Sequence, residues 1–568
     1  MVVGALIAFG VLCAIDLLRI KRELDAGQET LAGLDLHTVD QRGGIRNVAN
    51  DAAAHLDRAA KLAHDSPWLS VLQPVPLVGD QVRGMRDLAN AAARVGGLAR
   101  GAASEIQSAL DATHDPASRI TLVDAVTAQL VQMQAELPNI DPGARGWLLP
   151  PLQGARSQFV RRLAKAERQV DDGITLTRTL RGFLAGPRRY VVLGGNNAEM
   201  RGAGITTTAG LAMVHDGAID VNGFQSSAAL YLQDPLTAPI PPDLDRLYGW
   251  MNIGKEWRTV DTSPNFPAIA KIYASMSEQS PLGPVDGAIF VDVVTLQSLV
   301  QVIGPVTVDG ITYTAENIAE QLLHGNYLKF PTLDDRFARY DAQGNVATAI
   351  FQAMNDRKFS LTRLAAVLSD GAKGRHLQAW SRDPAEEKLW EQLGADGGLD
   401  GHQLGVLVTN VSANKLDWFI DPEIDIRTEP LSGGNSRVHM KLTITNPTRA
   451  PNDTSPYIEG GSPPYVGPGD HRAYVLFYLP TNAVDIGNAD PGFTTDGNDG
   501  LATVGGMFSL VPQGTTKTIS VDFTLPNADA IVQLLPSSRL RPQRYTINGV
   551  TVTDAVPIPV PLLGLTLR

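Results

Sequence analysis

At 568 residues the chain is too long for a single core, and roughly 150 residues per domain predicts three or four folding units. A hydrophobic share of 43% and a charged share of 19% are those of a globular protein and exclude wholesale disorder. The formal net charge of -12 excludes a general nucleic-acid binder, whose affinity comes from neutralising phosphates. Cys13 is the one cysteine, so no disulfide or cysteine metal site forms within the chain. Arginine outnumbers lysine, and alanine and glycine abound, which points to a GC-rich bacterial genome.

The first stretch, MVVGALIAFGVLCAI, is apolar from Met1 to Ile15. A membrane span takes about 20 apolar residues, and no small-residue cleavage site follows. Three readings fit: a signal anchor whose true start lies upstream, a short anchor reaching Ile20, and a buried helix. An anchor over residues 1–20 is the expectation carried forward, with the bulk of the chain outside the cytoplasm. Arg19, Lys21 and Arg22 follow the run, where the positive-inside rule would place the cytoplasm. A basic stretch upstream would remove that conflict.

Residues 21–185 read as helices in a stalk or bundle. NVANDAAAHLDRAAKLAH and VRGMRDLANAAARVGGLARGAASEIQSALDA repeat Ala and Leu at three- and four-residue spacing between charges. SPWLSVLQPVPLVGDQV, with three prolines, predicts an elbow, and LPNIDPGARGWLLPP a second break. From residue 186 strands and helices mix. RYVVLGG reads as a buried strand ended by glycine, GLAMVHDGAIDVNGF as a hairpin turning at His215-Asp216-Gly217, and FPAIAKIYASMSEQ as a helix. VDGAIFVDVVTLQSLVQVIGPVTVDGITYT reads strand, helix, strand, strand, and TAENIAEQLLHG a helix from Thr314 to Gly325. Over 417–568, RVHMKLTITN, RAYVLFYLP, TKTISVDFTLP and RYTINGVTVTDA predict an antiparallel β-sandwich. The expected fold is therefore multidomain α+β: anchor (1–20), helical stalk or bundle (21–185), α/β core (186–416) and β-sandwich (417–568).

Three clusters and one carboxylate pair carry candidate chemistry. In RYVVLGGNNAEMRGAG, glycines admit a close backbone approach and Arg201 offers a fork of donors, so either an anion site or a structural turn fits. Neither phosphate-loop pattern is met, since no Lys follows the glycines and Thr207 replaces the third glycine of a dinucleotide loop. In LDDRFARYD, Arg336 and Arg339 share a helix face, as a pyrophosphate clamp or as part of a surface charge ladder. In KEWRTVDTSPNFP, Arg258 adds a cation, and Asp261 is an oxygen ligand of the kind Mg²⁺ takes. Asp286 and Asp292, six apart, are either glycosidase carboxylates or strand-end residues. No zinc-protease or serine-hydrolase motif is present.

The order RYVVLGGNNAEMRGAG, DTSPNFPAIAKIYASM, VDGAIFVDVVTLQSLVQVIGPVTVDG, TAENIAEQLLHG, VLVTNVSANKLDWFI resembles domain of unknown function 4012, a family of bacterial, largely actinobacterial, membrane-anchored proteins. More distantly, VVLGGNNAEMR, NFPAIAKIYASM and LDDRFARYDAQGNVATAIFQAM are similar to the LytR-CpsA-Psr family, which moves glycopolymers from a polyprenyl pyrophosphate onto the cell wall. That resemblance implies a LytR-CpsA-Psr-like α/β core handling a polyprenyl-linked glycan or cell-wall polysaccharide at the membrane, during cell-wall or exopolysaccharide assembly. Arg201, Asn196, Asn197, Arg258, Arg336 and Arg339 would bind it, and Glu199 and Asp261 would be the catalytic carboxylates placing Mg²⁺. The family's acidic ligand is absent from RGAG, with Glu199 its nearest substitute, and DVNGFQSSAALY lacks the later Arg. These departures favour binding over transfer. The alternatives are a non-catalytic scaffold docking other envelope proteins, and a glycosidase using Asp286, Asp292 or another carboxylate pair.

Overall fold

The computed structural model describes residues 2–32, 35–143, 147–332, 334–449, 455–461, 466–490, 492–527 and 531–563, with backbone alone for 2–14, 31–32 and 488–490. The chain divides into two compact units, Met1–Gly186 with Ser360–Ala366, and Pro187–Phe359 with Val367–Arg568.

The first unit is built on long helices: α1 (Val2–Ala32), α2 (Ile45–Asp65), α3 (Val78–Ala112), α4 (Pro116–Glu136) and α5 (Pro150–Ala185). The helix α2 packs against α1 and α3, and α4 against α5. On α2 the buried stripe is Val48, Ala49, Ala52, Ala53, Leu56, Ala59 and Ala63, the three- and four-residue period legible in the sequence. Asp115 caps α4 in a reciprocal box with Ser118, and Pro116 starts the helix, where its missing N–H costs nothing. The proline elbow forms a short helix, Pro67–Leu72, capped by Ser66. Among the described residues no helix is long and apolar enough to cross a membrane. The expected anchor falls in α1; Met1 and the side chains of residues 2–14 lie outside the described residues.

The second unit opens with a five-stranded sheet. Its strands are β1 (Arg188–Met200), β2 (Gly204–His215), β3 (Ala218–Ser226), β4 (Gly287–Asp292) and β5 (Leu377–Ser381), in the order β3-β2-β1-β4-β5. Only β1 and β4 pair in parallel. The helices α6 (Phe266–Glu278), α7 (Val293–Ile303) and α8 (Arg336–Asp356) accompany it. The hairpin turns at Asp216 and Gly217, both at positive φ, as its sequence predicts. The helix expected to end at Gly325 instead passes through a π-turn at Gln321–Gly325 into Asn326–Lys329.

The strand β1 corrects a second expectation. The glycine pair does not end it; β1 runs on to Met200 with a register shift between Gly194 and Gly195. These glycines make room for neighbours. A Cβ on Gly194 would lie 2.3 Å from Thr208 Oγ1, and one on Gly195 2.3 Å from the Phe290 ring. Past Asn196 the register jumps to Met200, so residues 197–199 bulge from the β1–β2 ladder before the turn at Arg201–Ala203.

From Gln403 two six-stranded sheets bury one core between them. Strands β6 (Gln403–Asn410) and β9 (His471–Leu479) lie in one; β7 (Glu423–Pro430) and β8 (Ser436–Thr445) lie in the other. Burial alternates along most of β8, the signature of a strand with one core face. The expected antiparallel arrangement holds for most pairs. It fails where Ile531–Leu534 joins β6 and Arg544–Ile547 joins β7, both in parallel. These late strands return by crossovers rather than hairpins, and a crossover is what a parallel pair requires.

Gly195→Ala is expected to destabilise the second unit by about 1–3 kcal/mol through overpacking against Phe290. Denaturant unfolding measures the loss, and Phe290→Leu in the same chain should recover part of it.

Candidate functional site

The end of β1 is held by one buried carboxylate. Asp417, its side chain wholly inaccessible, accepts from Met200 N at 3.0 Å, Asn410 Nδ2 at 2.8 Å and Arg539 Nη2 at 3.0 Å, with His471 Nε2 at 3.7 Å. Burial alone would raise its pKa. Arg539, His471 and the Met200 amide outweigh burial and hold it well below the usual carboxylate range. The bulge and turn that carry Glu199 and Arg201 are thereby pinned to the segment that carries Lys415.

Glu199 lies between two cations. Its Oε1 accepts from Arg201 Nη2 at 2.9 Å and its Oε2 from Lys415 Nζ at 2.6 Å, all three side chains being buried. Burial works against the Lys415 ammonium, but Glu199 overcomes it and its pKa stands above the ordinary value. Arg201 Nε is buried without a hydrogen-bond partner. Gly202 donates to Asp261 O at 2.7 Å, and a Cβ there would meet Ser263 O at 2.4 Å, so the turn closes onto the Asp261 segment only as glycine. Asp261 accepts from Thr206 N through Oδ2, and its buried Oδ1 has no partner. Burial pushes this carboxyl up to about 7, with Arg201 and the Thr206 hydrogen bond opposing.

Arg339, expected beside Arg336 in a clamp, parts from it. Arg336 is exposed over the Phe337 ring, whereas Arg339 is buried. Its guanidinium lies 3.5 Å from the Tyr457 ring centroid and 5.6 Å from that of Tyr327. Nη1 donates to Phe330 O and Thr332 O, Nη2 has no partner, and no carboxylate stands within 4 Å of it among the described residues. Lys415 Nζ stands 5.4 Å from the same Tyr327 ring, so Tyr327 joins Arg339 to the Arg201–Glu199–Lys415 ladder. Arg258 is paired with Glu256 at 2.6 Å, which raises its pKa against the opposing effect of burial.

The two asparagines face different ways. Asn196 donates to Tyr327 OH at 2.9 Å and so belongs to the cluster. Asn197 donates to Asp292 Oδ2 at 2.7 Å and Ser538 O at 2.9 Å, where Asp292 also binds His376 Nδ1 at 2.6 Å and caps α7. Asp286 bonds Arg189 N at the other end of β4. Six strand residues span about 20 Å, so Asp286 and Asp292 are not a glycosidase pair, which needs about 5–10 Å.

Mg²⁺ does not fit the carboxylates as they stand. Both Glu199 oxygens are taken by cations, which leaves the unpartnered Oδ1 of Asp261 as a lone oxygen, and no cluster of three or more metal-type ligands occurs among the described residues. Sequence reasoning missed Lys415, Tyr327 and Tyr457. Lys415 stands in VSANKLDWFI with no local sign of a charge partner 216 residues away.

A narrow apolar slot adjoins the cluster. Val192, Asn196, Phe224, Leu296, Ala347 and Phe351 line it, and it encloses about 30 Å³, room for about two waters. Asn196 both lines the slot and bonds Tyr327.

The geometry defines an α+β protein with a buried, cation-rich polar cluster beside an apolar slot. Residues 185–327 match the family described as protein of unknown function (DUF4012). That span holds Glu199, Arg201, Arg258, Asp261 and Tyr327, and leaves out Arg339 and Lys415. Comparison with curated proteins finds no match, and comparison with solved structures finds none.

Asp261 ties the site to pH. Its folded pKa, about 7, exceeds the unfolded value near 3.9, so the folded state holds an extra proton between them. Stability should therefore fall as pH rises from about 4 to 7, by at most about 1.4 kcal/mol per unit from this group, and level off above. Asp261→Asn should flatten that slope in denaturation curves taken across this range.

Proposed function

We propose that the protein is a membrane-anchored, extracytoplasmic envelope protein that binds a polyprenyl-phosphate-linked polysaccharide during cell-wall or exopolysaccharide assembly, on a LytR-CpsA-Psr-like core. One observation carries this reading: the apolar slot and the cation cluster are joined through Asn196 and Tyr327. A prenyl chain with a pyrophosphate head has that polarity, apolar along its length and doubly anionic at one end. The head would meet the unpartnered donors of Arg339 and Arg201 and compete with Glu199 for Lys415. The chain would enter the slot with Phe224 and Phe351 swung aside.

Binding is the version this chemistry favours over transfer. Phosphoryl transfer relies on cations free to follow developing charge, and here Arg201 and Lys415 are both engaged by Glu199. An envelope scaffold needs no such buried cations, since an unpaired buried arginine costs stability that protein docking does not recover.

The test is titration of the detergent-solubilised full chain with polyprenyl pyrophosphate. Arg339→Ala and Lys415→Ala should each weaken binding about tenfold or more, while Arg336→Ala changes it by less than about twofold. Phe351→Trp should weaken binding of the lipid but not of inorganic pyrophosphate. Unchanged affinity in Arg339→Ala and Lys415→Ala would sink the reading.

A further inference from the structure

One end of the helical unit carries its apolar side chains outward. Three separate segments meet there. Asp16 of α1 accepts from Ser66 Oγ at 2.7 Å, which sets the middle of α1 beside the proline elbow. Gln81, in the first turn of α3, donates to Leu77 O and Trp147 O and accepts from Leu149 N at 2.8 Å, which sets the α4–α5 connection beside the same elbow. Each segment exposes large apolar groups: Leu18 at 67%, Val71 at 62%, Leu77 at 61%, Trp147 at 58%, with Leu149 and Trp68 less so. Beneath them Ile20, Leu69 and Val82 are buried in a common core.

The backbone holds one of them out under strain. Leu77 has φ 67°, and Val78 N closes a three-residue turn onto Pro76 O at 2.8 Å. This γ-turn is rare and unfavourable for a side chain larger than glycine's. Glycine would relieve it. A leucine there, facing solvent, costs the fold twice, once through its backbone and once through its exposed side chain.

The occupant follows from continuity. The helix α1 continues before Asp16 through Val2–Ile15, apolar in sequence, adding about 20 Å of helix from this same end. Tryptophans gather where a chain enters a bilayer, because the indole has an apolar body and a polar N–H. We propose that this end of the helical unit, the elbow at Pro67–Val78 with the Trp147–Leu149 connection, lies in the membrane interface around the N-terminal helix, with its apolar side chains among lipid acyl chains. The proposal rests on the anchor reading for its orientation, and adds a bilayer-embedded protein surface that an anchor alone does not require.

The experiment uses the full chain with Cys13→Ser, bound to vesicles of phosphatidylcholine and phosphatidylglycerol. A nitroxide is placed at Val71→Cys, at Leu77→Cys, or at Val160→Cys on the exposed flank of α5. At 71 and 77, collisions with oxygen should rise several-fold and collisions with an aqueous nickel chelate fall several-fold on vesicle binding, while 160 stays unchanged. Water-like values at 71 and 77 in vesicle-bound chain overturn the embedded surface and leave the anchor standing. Shielding from both reagents marks a protein contact and overturns it too. Failure to bind vesicles overturns both. In the unsubstituted chain, lipids brominated along the acyl chain should quench tryptophan emission, and Trp68→Tyr with Trp147→Tyr should abolish most of that quenching; undiminished quenching counts against the proposal.

Discussion

Asp417 is the constraint on which the site depends. A carboxylate with no exposed surface survives only when its lone pairs are met by donors and its charge by a cation. Met200 N, Asn410 and Arg539 meet these demands, and they come from β1, from β6 and from the chain after Ile531–Leu534. Sheet core and paired sheets are thus held at one point. Because residues 197–199 bulge just before Met200, fixing the Met200 amide also fixes the direction of Glu199 and Arg201.

From that anchor the electrostatics follow in sequence. Glu199 neutralises one of its two cations, and Glu256 neutralises Arg258. Arg339 is left to two carbonyls and two aromatic faces. Carbonyl dipoles and ring quadrupoles stabilise a guanidinium but do not cancel its charge. Asp261 adds at most one negative charge, and burial works against even that. The cluster therefore stays net positive inside a protein whose overall charge is -12, a local field opposite to the global one.

The helical unit follows simpler rules. Its alanine stripes let α1, α2 and α3 approach closely, and its caps and prolines set where each helix starts. Those rules account for its buried core and leave its outward apolar end unexplained. The strained turn at Leu77 lies in that end and not in the packed interior.

Much of the architecture was legible in the sequence because it is local. The period of Ala and Leu marked α2 and α3, the Asp216-Gly217 pair marked the β2–β3 hairpin, and RVHMKLTITN marked β8 as a strand. Residues Glu199, Arg201, Asp261 and Arg339 could be named as charged groups in unusual settings. What the sequence could not carry is distance across the chain. Arg336 and Arg339 share a helix face by spacing, yet packing against Tyr457 buries one and leaves the other in solvent. The glycines after VVL looked like a turn, and only the Thr208 and Phe290 side chains across the sheet show why a strand needs them. Lys415 finds Glu199 because the sheets fold back onto β1. By itself the sequence determined the elements and the types of charge available. Tertiary structure alone decided which charges meet, since a buried ion pair is selected by the cost of leaving either partner uncompensated, and that cost exists only once the chain is folded.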